Sequence, residues 1–305
     1  MAEVTASMVK ELRERTQAGM SDCKNALVEA AADMEKAVEI ILKKGLVKAA
    51  KTAGKVASEG EVRTHVTADG KRGTIVEINC QTDFVARGEQ FQTFVGNVLA
   101  AAAAAPKGAD VLTLKYPGTD KTVEEERLEL AGKIGENIVV RRWDAQEAKT
   151  GFVNAYVHMG GKNAALLVVE TDKTDAAVKA FADNVAMQIV AMRPSVVQKS
   201  ELSAAQIDKQ KEIFEAQLKE EGKPEAAWPK IIEGKVAKWV SEVTLLGQDN
   251  VWDPGNGTID KLRQDVAKAV GGEVALASFT RFELGEGIEK KQEDLAAEVA
   301  KTIGN

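Results

Sequence analysis

The spacing of apolar residues changes period near residue 61, and a chain that does this is neither all helix nor all sheet. Before that point apolar residues recur at steps of three and four: Val9 and Leu12, then Cys23, Ala26, Leu27 and Ala30, then Met34, Val38, Ile41 and Leu42. That recurrence marks short amphipathic helices. Beyond it Val62, Thr64 and Val66 alternate, Ala68-Asp69-Gly70 turns, and Thr74, Val76, Ile78 and Cys80 alternate again, which is the pattern of a β-hairpin. The fold class is α+β, a body with antiparallel strands carrying helical appendages.

Residues 4–45 read as three helices. Thr16 to Met20 is a turn, Ser21 can cap the second helix, and the third stops at Gly45. So small a bundle has a thin core and suits a docking module. Lys43, Lys44, Lys48, Lys51 and Lys55 follow among alanines and glycine. They read as a solvated linker helix or as a basic contact for an acidic partner.

After the hairpin a helix is expected from about 86 to 105, ended by Pro106. Thr122-x-x-Glu125 is a capping-box signal opening another helix to Gly132, and residues 136–143 regain strand character. The theme then recurs: Phe152 to His158 alternates, Ala164 to Val169 is an unbroken apolar run, and Ala176 to Met192 is a helix stopped by Pro194. Sections 57–143 and 150–193 each join strands to a following helix, as an internal structural repeat would.

Residues 200–247 differ in kind. Ser203-x-x-Gln206 opens one helix, with Ile207, Phe214 and Leu218 on a face. Glu221-Gly222-Lys223-Pro224 breaks it, and Trp228, Ile232, Val236, Trp239, Val243 and Leu246 stripe a second. The pair is an antiparallel helical hairpin whose narrow stripe suits packing within the pair or against a second copy, as in a homodimer. A helix at 258–270, a strand from about 273 to 283 and a last helix from about 289, striped by Leu295, Val299 and Ile303, close the chain.

Chemistry is conspicuous by what is missing. There is no G-x-x-x-x-G-K-[ST] phosphate loop, no G-x-G-x-x-G fingerprint, no G-x-S-x-G elbow and no H-E-x-x-H. Cys23, Cys80, His65 and His158 are too scattered for a metal set, so neither cofactor nor metal is expected, and no residue cluster marks an enzyme's reaction centre. Lys plus Arg is 41 against Asp plus Glu 47, which argues against a whole-molecule grip on nucleic acid. No uncharged run is long enough to span a bilayer. Two cysteines point to a reducing compartment, and the charged start Lys10-Glu11-x-Arg13-Glu14-Arg15 is unlike a leader; cytoplasm is the expectation.

One cluster stands out. Val76 to Cys80 is strand, and Gln81-Thr82-Asp83-Phe84-Val85-Ala86-Arg87 turns into a helix that Thr82 or Asp83 can cap. Phe84 either packs inward or stands at the tip as a rigid apolar wedge beside a carboxylate.

Four stretches resemble one family, in order. Val9-Lys10-Glu11-Leu12-Arg13-Glu14-Arg15-Thr16-Gln17-Ala18-Gly19-Met20-Ser21-Asp22-Cys23-Lys24 is similar to the N-terminal signature of bacterial translation elongation factor Ts, with Gln17 where that family usually has glycine. Gln81-Thr82-Asp83-Phe84-Val85 resembles its second signature. Lys133-Ile134-Gly135-Glu136-Asn137-Ile138 and Arg281-Phe282-Glu283-Leu284-Gly285-Glu286-Gly287-Ile288-Glu289 match further stretches.

The resemblance implies a guanine-nucleotide exchange factor for elongation factor Tu, a ribosome- or RNA-associated adaptor being the alternative that the lysine stretch leaves open. It implies a ubiquitin-associated-like three-helix domain at 1–56 and a core subdomain at 57–143. A second subdomain is formed by 144–199 with 248–287, a coiled-coil hairpin is inserted at 200–247, and a helical module lies at 288–305. It also implies that Thr82, Asp83, Phe84 and Val85 enter the GTPase near its magnesium site. Lys24, Ile134, Gly135 and His158 are implied as further contacts, the last within the loop Val157-His158-Met159-Gly160-Gly161.

Overall fold

The computed structural model describes residues 4–16 and 18–289; Gln17 and the helix expected after 289 lie outside them. Helices α1 (Ala6–Thr16), α2 (Met20–Glu29) and α3 (Met34–Thr52) come first. They enclose a small core in which Leu12, Cys23, Ala26, Leu27 and Ala37 are fully buried. Asp33 caps α3, accepting from the Lys36 amide at 3.1 Å. Ser21, expected as a cap, lies inside α2; the N-cap position belongs to Gly19 and carries no side-chain bond.

The third helix does not stop at Gly45. It runs on to Thr52, burying Ala49 and Thr52, so Lys43, Lys44, Lys48 and Lys51 stand exposed on a helix that is itself packed, and Lys55 falls just beyond it. The reason is a close approach: Gly45 lies against Gly132 of α6 (Val123–Ile134), whose Cβ, if it had one, would sit 2.6 Å from the Gly45 Cα. A glycine that would fray an isolated helix is used here to let two backbones touch.

Two three-stranded sheets follow. The first has the order β1 (Glu59–Val66), β2 (Arg72–Cys80), β3 (Val139–Glu147), and the second β4 (Phe152–His158), β5 (Asn163–Thr171), β6 (Val274–Glu283); both are antiparallel. The chain divides into two units, residues 1–62, 76–143 and 283–305 against 63–75 and 144–282. In the first, Phe91, Phe94, Val95 and Val98 of α5 (Glu89–Ala104) and Val123, Leu130 and Ala131 of α6 share one core with Val76, Ile78 and Ile138. In the second, Phe181, Val185 and Ile189 of α7 (Ala176–Met192) and Ile259 of α10 (Ile259–Val270) share one core with Ala165, Leu167, Val169 and Leu276. The helix expected over 86–105 is in fact two, because Gly88 is extended (φ −70°, ψ 140°) and separates α4 (Asp83–Arg87) from α5.

The repeat reaches further than strands and one helix. Thr122 caps α6 in a full capping box and Thr258 caps α10. Arg127 bridges Glu124 and donates to the Ile138 carbonyl at 2.7 Å; Arg263 bridges Asp260 and donates to the Val274 carbonyl at 2.9 Å. Gly135 and Gly271 end the two helices in the left-handed conformation, φ 81° and 64°. These pairs match at one constant offset along the chain.

The hairpin forms as its pattern predicts, with α8 (Ala204–Glu220) and α9 (Trp228–Val243), and the Ser203–Gln206 capping box is complete. Leu218 alone of its helical residues is buried; Trp228, Ile232, Val236 and Trp239 stay half-buried. Its two ends are tied together, the Leu245 amide donating to the Val196 carbonyl at 2.9 Å and the Ser195 amide to Val243 at 2.8 Å.

Candidate functional site

β2 leads into the residues that the sequence marks out, and it is buried on both faces from Gly73 to Cys80. Alternation alone would put Glu77 and Asn79 in solvent, yet both are fully buried. Glu77 accepts from Arg141 Nη1 at 2.8 Å, Arg142 Nε at 2.6 Å and the Gly285 amide at 2.8 Å. Burial pushes its carboxyl up, but the Gly285 amide and the two guanidiniums outweigh that and hold it below the usual carboxylate range. The strand end is thereby fixed to the loop that follows β6.

The turn itself is braced from a second side. Glu136 Oε2 accepts from the backbone amides of Gln81 and Thr82, both at 3.1 Å, and its Oε1 accepts from the Thr82 hydroxyl at 2.7 Å. The Thr82 hydroxyl oxygen in turn accepts from the Val85 amide at 3.3 Å, which makes Thr82, not Asp83, the cap of α4. Asp83 instead pairs with Arg87 at 2.8 Å on the surface. Val85 packs partly into the core and Ala86 is buried.

Phe84 does not pack inward. It is 83% exposed, the most exposed large apolar side chain among the described residues. The fold does not need it: the matching strand-to-helix junction of the second unit, between β5 and α7, spans only residues 172–175. The longer junction of the first unit, 81–88, therefore adds a turn whose added feature is an aromatic ring in water.

Ile134 is the last residue of α6 and half-buried, and Gly135 is its exposed left-handed cap. Glu136 comes next, so these positions lie one bond network away from Thr82. Lys24 is exposed on α2, and no described hydrogen bond or ion pair joins it to the turn. His158 is exposed at the end of β4 in the second unit, its Nδ1 2.9 Å from the Tyr156 hydroxyl with the two rings stacked at 5.9 Å. Met159 beside it is 72% exposed.

Sequence reasoning did not single out Glu77 or Glu136. The first leaves no mark, because alternation assigns it to water. The second could have been found from the repeat, since the position after the matching cap glycine is Glu136 in one copy and Gly272 in the other.

The lysine stretch is largely spoken for. Lys43, Lys44 and Lys48 lie 3.7, 2.6 and 2.8 Å from Glu39, Glu29 and Asp22, which weakens it as a phosphate-binding face. Among the described residues no group of three or more His, Cys, Asp and Glu could hold a metal ion, and no helix is long and apolar enough to cross a membrane.

An aromatic side chain held in water by a braced turn is the kind of feature that proteins use to contact other macromolecules. Comparison with known proteins identifies the family. The family model described as Elongation factor TS matches residues 81–286. Elongation factor Ts of Clostridium perfringens strain SM101 is 46% identical over 303 residues, covering 99% of this chain and 99% of the relative. That of Nitratiruptor is 48% identical over 300 residues (97% and 98%), and that of Nautilia profundicola 44% over 306 residues (99% and 100%). The chain belongs to the elongation factor Ts family. The family implies nucleotide exchange on elongation factor Tu in translation elongation, an exchange role and not catalysis of a chemical reaction.

Proposed function

We propose that the chain promotes GDP release by seating the Thr82-Asp83-Phe84-Val85 turn against the magnesium and phosphate site of elongation factor Tu. The observation that carries this is Phe84, 83% exposed on a turn held by Glu136 and Thr82. Lys24 on the three-helix domain, Ile134 and Gly135 at the end of α6, and His158 at the end of β4 make the further contacts that keep the turn in place. The ubiquitin-associated-like bundle, the two core subdomains and the hairpin arm divide this work between them, and the chain itself makes and breaks no bond.

The physics asks for little more than a rigid ring. GDP is held in a GTPase by Mg²⁺ and by backbone donors to its phosphates. A partner that prefers the nucleotide-free form weakens nucleotide by the same factor by which nucleotide weakens the partner. Displacing groups around the magnesium would be an efficient place to apply that coupling, because the ion would supply much of the charge that neutralises the phosphates. A mobile side chain would lose the gain to ordering entropy; a capped and braced turn has little left to lose.

Release of a fluorescent GDP analogue from elongation factor Tu, followed with and without this chain at micromolar concentration, tests the proposal. Faster release with no GTP hydrolysis by the chain alone is expected, and an unchanged release rate overturns it.

A further inference from the structure

We infer that Glu136 is a positioning residue for nucleotide exchange, a carboxylate whose task is to aim the Phe84 turn. The inference rests on the reading of Phe84 given above and adds the group that makes its placement rigid. Glu136 accepts three hydrogen bonds from the first two residues of the junction, the Gln81 and Thr82 amides and the Thr82 hydroxyl. These are two backbone donors that precede α4 and the hydroxyl that caps it. Charge-assisted bonds of this sort are stronger than neutral ones and fix direction.

The carboxylate is itself mounted on fixed backbone. Gly135 before it is the left-handed cap of α6. Asn137 after it is buried and donates to the carbonyls of Ala53 and Lys55 at 3.1 and 2.8 Å. The next carbonyl, that of Ile138, accepts from Arg127 at 2.7 Å. Glu136 therefore has little freedom of its own, and neither does what it holds.

The second repeat supplies the comparison. It has the same capped helix, the same arginine latch and the same glycine cap, but Gly272 stands where Glu136 does and the junction it would reach is only residues 172–175. A Cβ at Gly272 would come within 2.6 Å of Lys173 Cε. Cap, latch and strand thus form without a carboxylate at this place. The carboxylate occurs with the long junction and is absent with the short one, so it serves the turn and not the fold.

The test uses Glu136→Ala, Glu136→Gln and Phe84→Ala in the full chain. Peptide-level amide hydrogen exchange over 81–88 is read without any partner. Catalysed GDP release is read as a maximum rate and a half-saturating concentration of elongation factor Tu. For Glu136→Ala, faster amide exchange across 81–88 and a maximum rate lowered about tenfold are expected, with the half-saturating concentration within about twofold. The denaturation midpoint should stay close to that of the parent. Glu136→Gln keeps the acceptor oxygen and should fall between the two. Unchanged amide protection and a parental maximum rate in Glu136→Ala, with Phe84→Ala slow, overturn the inference. So does a rate loss that only tracks loss of global stability while 81–88 stays protected. A parental rate in Phe84→Ala instead overturns the reading of Phe84 on which the inference stands.

Discussion

Truncating Phe84 to alanine separates a ring that works at an interface from one that holds the fold. With 83% of the residue already in water, the change removes only about 0.5 kcal/mol of burial from the free protein, on a scale where fully burying a phenylalanine is worth about 1.5–3 kcal/mol. A core phenylalanine would cost about 3–5 kcal/mol. Urea denaturation of the free chain should therefore give a midpoint close to that of the parent.

In the complex the ring has most of its surface left to bury, about 1.2–2.5 kcal/mol on the same scale. A tenfold change in rate corresponds to about 1.4 kcal/mol. Catalysed release of the fluorescent GDP analogue, measured by stopped flow over a range of chain concentrations, should slow tenfold or more. Phe84→Leu, which keeps most of the apolar volume, should lose less. A Phe84→Ala chain that is strongly destabilised yet exchanges at the parental rate once folded would refute the reasoning at both steps.

Three further outcomes are expected. The Glu170 carboxyl is held at about 2: burial pushes it up, but the Thr150 hydroxyl and the amides of Lys149, Thr150 and Gly151 outweigh that. A depressed folded value means stability present in full above the unfolded value near 4.5 and lost as pH falls toward 2. Glu170→Gln should flatten the fall of the thermal midpoint across that window, and parallel curves for the two proteins would contradict it. Replacing 204–242 with a short Gly/Ser linker should leave one cooperative thermal transition and measurable exchange, since residues 195–197 and 243–246 already bond the stem closed; loss of cooperativity would place the hairpin in the core. Gly132→Ala should cost about 1–3 kcal/mol by overpacking α6 against Gly45 of α3, and a parental urea midpoint would show that the two helices part freely.

Elements that rest on local chemistry were legible in the sequence. Thr122-x-x-Glu125 and Ser203-x-x-Gln206 form their capping boxes where the spacing puts them, because cap and partner are three residues apart and need nothing else. The β1–β2 hairpin and the helix at 176–192 follow from period and turn residues in the same way. The four family stretches were visible as words; that Glu136 of one reaches Gln81 and Thr82 of another, and Gly285 of a third reaches Glu77, was not.

What sequence could not decide are contacts between residues far apart in the chain. Glycine at 45 reads locally as a helix stop, and only Gly132 lying against it explains why α3 continues to Thr52. Glu77 reads as a solvent-facing position of an alternating strand, and only Arg141, Arg142 and the Gly285 amide make its burial affordable. Phe84 is the sharpest case. Its neighbours in sequence are compatible with an inward or an outward ring, and the choice falls outward because Val85 and Ala86 fill the apolar space behind the turn while Glu136 fixes where it begins. Local sequence determined where the chain turns; packing at long range decided which side of the turn meets water.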